Sequence, residues 1–478
     1  MADWYGVGQV TIDTLPSVSL LEIFSFYLEY DESWHTLVHV CRRWRKTVFG
    51  SPRRLNLHIS CSFGRPARTA LDIWPPLPIN VSSLDCRKNG SDVDNIVAAL
   101  EHRDRVSKIN LWCISSSDLE RILAVMQEPF SALTNVMLQW NDDESSKAAR
   151  GPDSFLGGSA PHLQTLTLDG IPLPFLGLQK LLLSTNDLVS LRLQYIPHSV
   201  YFSPEAIVTS LSALTKLTSL ELTFQSPRSR PVRDSRRPPL PTRTVLPALT
   251  CITFKGINEY LEDIVAQIDA PLLGSLSITF FHQLAFDTRQ LAQFIGRAPK
   301  LEEPNEARVV FSEHTVRVTF FAPSTGEEEI NLGVTCKHAD LQLLSVNQLC
   351  TGSFPQAFIP TIEHLYVVES KYSSPPRWEN NILRNQWLRL LRPFTGVKDL
   401  YLSENIVPLI APALQELAGE GMTEVLPALQ CLLLEGLHTS GPVMGAIGPF
   451  IAATQVSTHP IVASYWDREE DYWWDGED

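Results

Sequence analysis

Leu163-Gln164-Thr165-Leu166-Thr167-Leu168, Leu188-Val189-Ser190-Leu191-Arg192-Leu193 and Leu217-Thr218-Ser219-Leu220-Glu221-Leu222 repeat one frame, apolar-x-x-apolar-x-apolar. In an extended chain successive side chains point to opposite faces. The last two apolar residues of each copy therefore share one face, and the residue between them takes the other. The frame continues in both directions, with VSKINL from Val106 and LTNVML from Leu133 before it, and LTCITF from Leu249 and LGSLSI from Leu273 after it. Successive copies start 24 to 32 residues apart. Between them lie helix-like stretches, DVDNIVAAL, SSDLERILAVM, EYLEDIVAQI and RQLAQFIG. One strand and one helix cannot bury their own apolar faces, whereas stacked copies can, so the pattern predicts an α/β solenoid of curved parallel strands backed by helices over residues 101–464. The frame blurs after Leu301 and returns as LQLLSV (Leu341), IEHLYV (Ile362), VKDLYL (Val397) and LQCLLL (Leu429).

The frame and its mean step of about 28 residues resemble leucine-rich repeats. The resemblance implies Asn or Cys three residues after the last frame leucine, where the side chain ladders with backbone. Here that position holds Ile114, Ile171, Ile196, Ile257 and Leu437, while Asn405 keeps the pattern, so the repeats are irregular. Residues at the middle of each frame line the expected concave face: Asn110, Met137, Thr167, Arg192, Glu221, Thr253, Ser277, Tyr366, Tyr401 and Leu433. This mixed polar and aromatic row suits a protein ligand better than phosphate, and Thr167, Arg192, Glu221, Tyr366 and Tyr401 are its candidate substrate-binding residues.

Composition agrees with an array. The chain has 478 residues, 65 of them leucine, with 34 prolines and 24 glycines, and one compact core seldom serves more than about 250 residues. A net charge of −14 disfavours nucleic acid as the partner. Eight cysteines without a CxxC pair point to a reducing compartment, the cytoplasm and/or nucleus. The opening MADWYGVGQVTIDTLP lacks the basic and apolar regions of a secretory signal. The uncharged stretch from Gly436 to Trp466 is broken by Pro442, Pro449 and Pro460, so no membrane span of about 20 apolar residues is expected.

The N-terminus carries a different pattern. After Leu15-Pro16, the residues Leu20, Leu21, Ile23, Phe24, Tyr27 and Leu28 recur at helical spacing, with the proline as a helix start. After the capping cluster Asp31-Glu32-Ser33, a second stripe runs through Trp34, Leu37, Val40, Cys41, Trp44 and Val48. The ordered pieces Leu15-Pro16, Leu21-Glu22-Ile23-Phe24 and Val40-Cys41-Arg42-Arg43-Trp44 resemble an F-box, over about a tenth of the chain. The resemblance implies a three-helix adaptor-binding domain at residues 10–58 that packs on a Skp-type adaptor and, through it, reaches a cullin scaffold. Carried over, Leu15 and Pro16 lie in the adaptor groove, with Leu21, Ile23, Phe24 and Leu28 on or beneath the contacting helix. Leu37 belongs to the same motif, and Val40, Cys41 and Trp44 brace the second and third helices. Residues 59–100 form a connecting segment and first repeat.

Two further segments stand apart. Residues 227–244 hold five prolines and six arginines and read as a disordered insertion, either a plain solvated loop or a basic docking or phosphorylation site near Ser229 and Ser235. The tail, residues 465–478, sets seven acids among Trp466, Tyr472, Trp473 and Trp474; it either caps the last repeat or presents an acidic-aromatic peptide. No HExxH, GxSxG, GxGxxG or GxxxxGK[ST] motif occurs, and Cys336, His338 and Cys350 match no standard zinc spacing. No cofactor, metal or catalytic residue is therefore expected. The expected function is that of a non-catalytic substrate receptor of a ubiquitin ligase holding a protein target; the alternatives are a repeat scaffold outside any ligase, or an enzyme of unrecognised fold.

Overall fold

The computed structural model describes residues 12–30, 34–62, 67–82, 93–140, 154–229, 243–283, 285–301, 303–322, 328–336, 338–355, 358–371, 374, 376, 378, 384–417, 422–438, 441–455 and 460–467. Most of the arginine-proline insertion, most of the acidic tail and the Asp31-Glu32-Ser33 cluster lie outside them.

Pro16 precedes helix α1 (Ser17–Tyr30), which buries Leu20, Leu21 and Phe24 on one side. The second apolar stripe is two helices, α2 (Trp34–Val40) and α3 (Arg42–Gly50), because Cys41 is extended and its Sγ accepts the Trp44 N–H at 3.4 Å, capping α3. Phe24 packs on Trp44 with ring centroids 4.7 Å apart. Val40 does not brace the helices as expected: it ends α2 with its side chain exposed, and the fully buried Val38 takes that place. Trp34 ties the unit to the start of the solenoid. Its Nε1 donates to the His58 carbonyl at 2.7 Å, and its ring meets Trp74 edge-on at 5.0 Å.

The solenoid then proceeds through β1 (Ile59–Cys61), α4 (Ala67–Ile73), β2 (Ile79–Ser82), α5 (Val93–Leu100), β3 (Val106–Ile114), α6 (Ser116–Val125), β4 (Asn135–Trp140) and β5 (Thr165–Asp169). Next come α7 (Phe175–Ser184), β6 (Ser190–Ile196), α8 (Pro204–Leu211), β7 (Ser219–Phe224), β8 (Thr244–Val245), β9 (Cys251–Gly256), α9 (Asn258–Val265), β10 (Ile268–Asp269), β11 (Ser275–Phe281) and α10 (Arg289–Gly296). The remainder is β12 (Glu306–Phe311), β13 (Thr315–Phe321), β14 (Glu328–Thr335), α11 (Ala339–Gly352), β15 (His364–Glu369), α12 (Arg384–Leu391), β16 (Asp399–Leu402), α13 (Val407–Leu417), α14 (Met422–Val425), β17 (Cys431–Leu434), α15 (Pro442–Gln455) and β18 (Val462–Tyr465).

Among the described residues, sixteen strands form one sheet in the order β1-β2-β3-β4-β5-β6-β7-β9-β11-β14-β13-β12-β15-β16-β17-β18, and β8 pairs separately with β10. Every adjacent pair in the large sheet is parallel except β12 with β13 and β13 with β14. The chain leaves β11, lays down β12 three strand positions away, and fills the two-strand gap backwards with β13 and β14. This is where the frame blurs. LQLLSV, expected to be a strand, lies in α11, whose buried Leu343, Val346, Leu349 and Cys350 follow helical spacing. Gln342 ties that helix to the reversed strands through the carbonyls of Ser312 (2.9 Å) and Cys336 (2.7 Å).

The repeat frame acts through three positions. Its first leucine, as in Leu163, Leu188 and Leu217, is fully buried under the turn that precedes the strand. Its last two, such as Leu166 and Leu168, face the helices. The position that resembled repeats give to Asn is an apolar spine instead, with Ile114, Ile171, Ile196 and Ile257 all buried. Hydroxyls take over the ladder at the other end of the strands: Thr134 Oγ1 donates to the Ser107 carbonyl (3.0 Å), Thr218 to Val189 (3.1 Å) and Thr250 to Thr218 (3.1 Å). Asn405 donates to the buried carboxylate of Glu369 at 2.8 Å.

Candidate protein-recognition surfaces

The helical unit separates the ten N-terminal candidates into inner and outer groups. Leu21, Phe24 and Leu37 are buried, and Leu15, Leu28, Cys41 and Trp44 are partly buried. Pro16, Ile23 and Val40 are exposed. Arg43 Nη2 donates to the Leu15 carbonyl, fixing the Leu15-Pro16 turn against α3. Exposed with them are Ile12, Val18, Phe26 and Tyr27, Val18 and Phe26 at 62% and 64%. Sequence reasoning missed Val18 and Phe26, although the signal was present: SVSLLEIFSFYLEY is apolar around most of its circumference, which a surface helix with one buried face does not need. One side of α1 packs on α3, and the other offers Val18, Ile23, Phe26 and Tyr27 outward. A contiguous exposed apolar face of this kind marks an interaction site.

The second surface is the concave face. Strand pairing sets Ser82, Asn110, Met137, Thr167, Arg192, Glu221, Thr253 and Ser277 side by side, one per strand. The row continues through Asn331 on β14, Thr319 on the antiparallel β13 and Arg308 on β12, then Tyr366, Tyr401, Leu433 and Ser464. All ten residues read from the frame thus fall on one line. Their accessibility differs from the expectation of an open surface. Arg192 is exposed, Glu221 and Tyr401 are partly so, and Thr167 and Tyr366 are buried. Thr167 is a short side chain between Met137 and Arg192, and Tyr366 is covered by aromatic neighbours.

The N-terminal half of this face is polar and cross-linked. Gln194 Nε2 donates to Glu221 at 2.7 Å, Arg192 Nε lies 3.8 Å from the same carboxylate, and Gln139 donates to Asp169 at 2.8 Å. Burial pushes the Asp169 carboxyl above its ordinary value; the Gln139 bond opposes that shift and the charge of Glu221 adds to it. The C-terminal half is aromatic. Tyr366 and Tyr401 stack with centroids 4.0 Å apart, and Arg308 lies 4.7 Å from the Tyr366 ring and 5.1 Å from that of Phe321. Trp466 stands across both tyrosines, 5.6 Å from Tyr366 and 5.4 Å from Tyr401.

Cys336 and Cys350 are both buried, and the Cys336 thiol donates to the His338 carbonyl at 3.6 Å. Burial raises both thiols, that of Cys350 to about 12. Among the described residues no three His, Cys, Asp or Glu side chains come together as a metal site, and no helix is long and apolar enough to cross a membrane.

No family model matches the chain, and no curated protein does. Among solved structures it is similar to the leucine-rich repeat-containing protein LegL7 from Legionella pneumophila, at 15% identity over 83% of this chain and 97% of that one, with a TM-score of 0.27. The class follows from the chain's own strand order and register. It is an irregular solenoid of parallel strands backed by helices, interrupted once by an antiparallel strand and preceded by a three-helix unit.

Proposed function

We propose that this chain is the non-catalytic substrate-recognition subunit of a Skp-cullin-F-box type ubiquitin ligase, acting in the cytoplasm or nucleus. The observation that carries the reading is the outward apolar face of α1, with Val18, Ile23, Phe26 and Tyr27 standing opposite the buried Leu20, Leu21 and Phe24. A helical unit of this size that keeps so much apolar surface outside its own core is built to be covered. A Skp-type adaptor is the cover that the F-box resemblance implies, with a cullin scaffold beyond it. The repeats then hold a protein target, and the junction around Trp34 keeps target and scaffold at a set separation. That raises the effective concentration of the target's lysines near a charged ubiquitin carrier.

Co-purification with a Skp-type adaptor tests the docking face. Ile23→Asp and Phe26→Asp alter exposed positions, so the variant should keep the wild-type circular dichroism spectrum, which a change at the buried Phe24 would not allow. Carboxylates pressed into an apolar interface should weaken adaptor binding by about 2 kcal/mol or more. If the wild-type chain binds no Skp-type adaptor, the ligase reading falls and the repeat scaffold replaces it.

A further inference from the structure

The concave row changes character at its C-terminal end, from polar residues to Arg308, Tyr366, Tyr401 and Leu433. Without Trp466 these residues would leave a cleft, with an ion-paired cation beside it: Arg308 lies over two aromatic rings and its Nε meets the Glu306 carboxylate at 2.8 Å. The cleft is filled from within the chain. Trp466 is 8% exposed and packs with Tyr366 and Val368 into a small cluster of their own, apart from the main core. Trp466 directly follows β18, and its N–H donates to the Leu434 carbonyl at 3.0 Å. Among the described residues β18 is the edge of the sheet and pairs with β17 alone, and Val462 and Tyr465 are 58% and 56% exposed. Beyond Trp466 the sequence is Asp467-Arg468-Glu469-Glu470-Asp471, an acidic run following an indole.

We propose that Trp466 is an exchangeable occupant of this cleft, an autoinhibitory contact that a protein ligand displaces by presenting an aromatic side chain next to acidic residues. The cleft supplies stacked ring faces for the aromatic group, and Arg308 supplies attraction for the acids. An edge strand is the element that leaves a sheet at least cost, because it breaks one ladder and not two. The inference rests on the reading that the repeats hold a protein target. It adds where that target engages and what must move first.

The probe is the fluorescently labelled decapeptide VASYWDREED, residues 462–471, titrated by anisotropy into the full-length chain. If Trp466 occupies the cleft for most of the time, the peptide should bind full-length Trp466→Ala about tenfold or more tighter than wild type, because apparent affinity scales with the vacant fraction. Binding should disappear when the peptide's own tryptophan is alanine, and weaken about tenfold when Tyr401→Ser is added to Trp466→Ala. Equal affinity for wild type and Trp466→Ala, no binding to either, or indifference to the peptide tryptophan would each overturn the proposal. Hydrogen exchange on the wild-type chain covers the case in which Trp466→Ala does not fold. The Val462 and Trp466 amides, which donate to Gln430 and Leu434, should exchange well before those of Cys431 and Glu435, which donate to Lys398 and Leu402 on the other side of β17, whereas equal protection would show that β18 opens only with the sheet and would sink the idea. The adaptor experiment reads the opposite end of the molecule, so loss of the latch and loss of the ligase reading are told apart.

Discussion

Glu262 shows how one side chain couples two repeats. It lies in α9, and its carboxylate accepts the N–H groups of Gln290 and Leu291, both at 2.8 Å, at the start of α10. Burial pushes the carboxyl up to about 7 from an ordinary 4.5, with Asp287 and Asp263 adding to the rise and the two N–H donors opposing it. A folded-state value above the unfolded one means that the folded chain holds this proton more tightly. The group's contribution is therefore full below 4.5 and is lost as pH rises through about 7. Gln resembles the protonated carboxyl, so thermal melts should find wild type and Glu262→Gln closest near pH 4 and wild type falling behind the variant by about pH 8, and a pH-independent gap would contradict this. None of this was legible in EYLEDIVAQI, because capping the next helix is a contact between repeats and leaves no mark on local periodicity.

At the scale of elements, successive turns pack as tightly as successive strands. Gly396, between α12 and β16, lies so close to the preceding turn that a Cβ would stand 2.1 Å from the Pro360 carbonyl oxygen and 3.1 Å from that of Ile362. Gly396→Ala should cost about 2–3 kcal/mol by forcing those backbones apart, seen as a lower denaturation midpoint with the slope unchanged. The strands that the frame found were legible because leucines at fixed offsets set both the strand and its inward face. β12 and the antiparallel β13 were not, because RVVF and TVRVTFF alternate Val, Phe and Arg without the leading leucine that seals each parallel turn. LQLLSV failed for the opposite reason. Its leucines satisfy the strand frame and the helical period alike, and only the fourteen-residue length of α11 decides between them. On α1 both stripes are written in SVSLLEIFSFYLEY, and the placement of the helix against α3 decides which of them faces inward.

For the molecule as a whole, the coupling between helical unit and solenoid passes through few side chains. Trp34 is buried among Phe49 and Trp74, at 5.8 Å and 5.0 Å between ring centroids. Trp34→Ala should remove about 3–5 kcal/mol from that junction, and a unit this small is marginal alone, so calorimetry should show a separate early transition where wild type unfolds the unit with the first repeats. Retention of a single transition would mean that the junction does not depend on Trp34. The reversed strands have a consequence of another kind, in the order of synthesis. Nearly every strand of the sheet meets its next neighbour one repeat later, but the far edge of β11 is closed by β14, and β12 and β13 are made first. At about 5–20 residues per second, the roughly 50 residues from the end of β11 to β14 keep that edge bare for several seconds on the ribosome. The nascent chain thus carries an unpaired strand in the middle of its sheet, and this interval is when it most needs shielding.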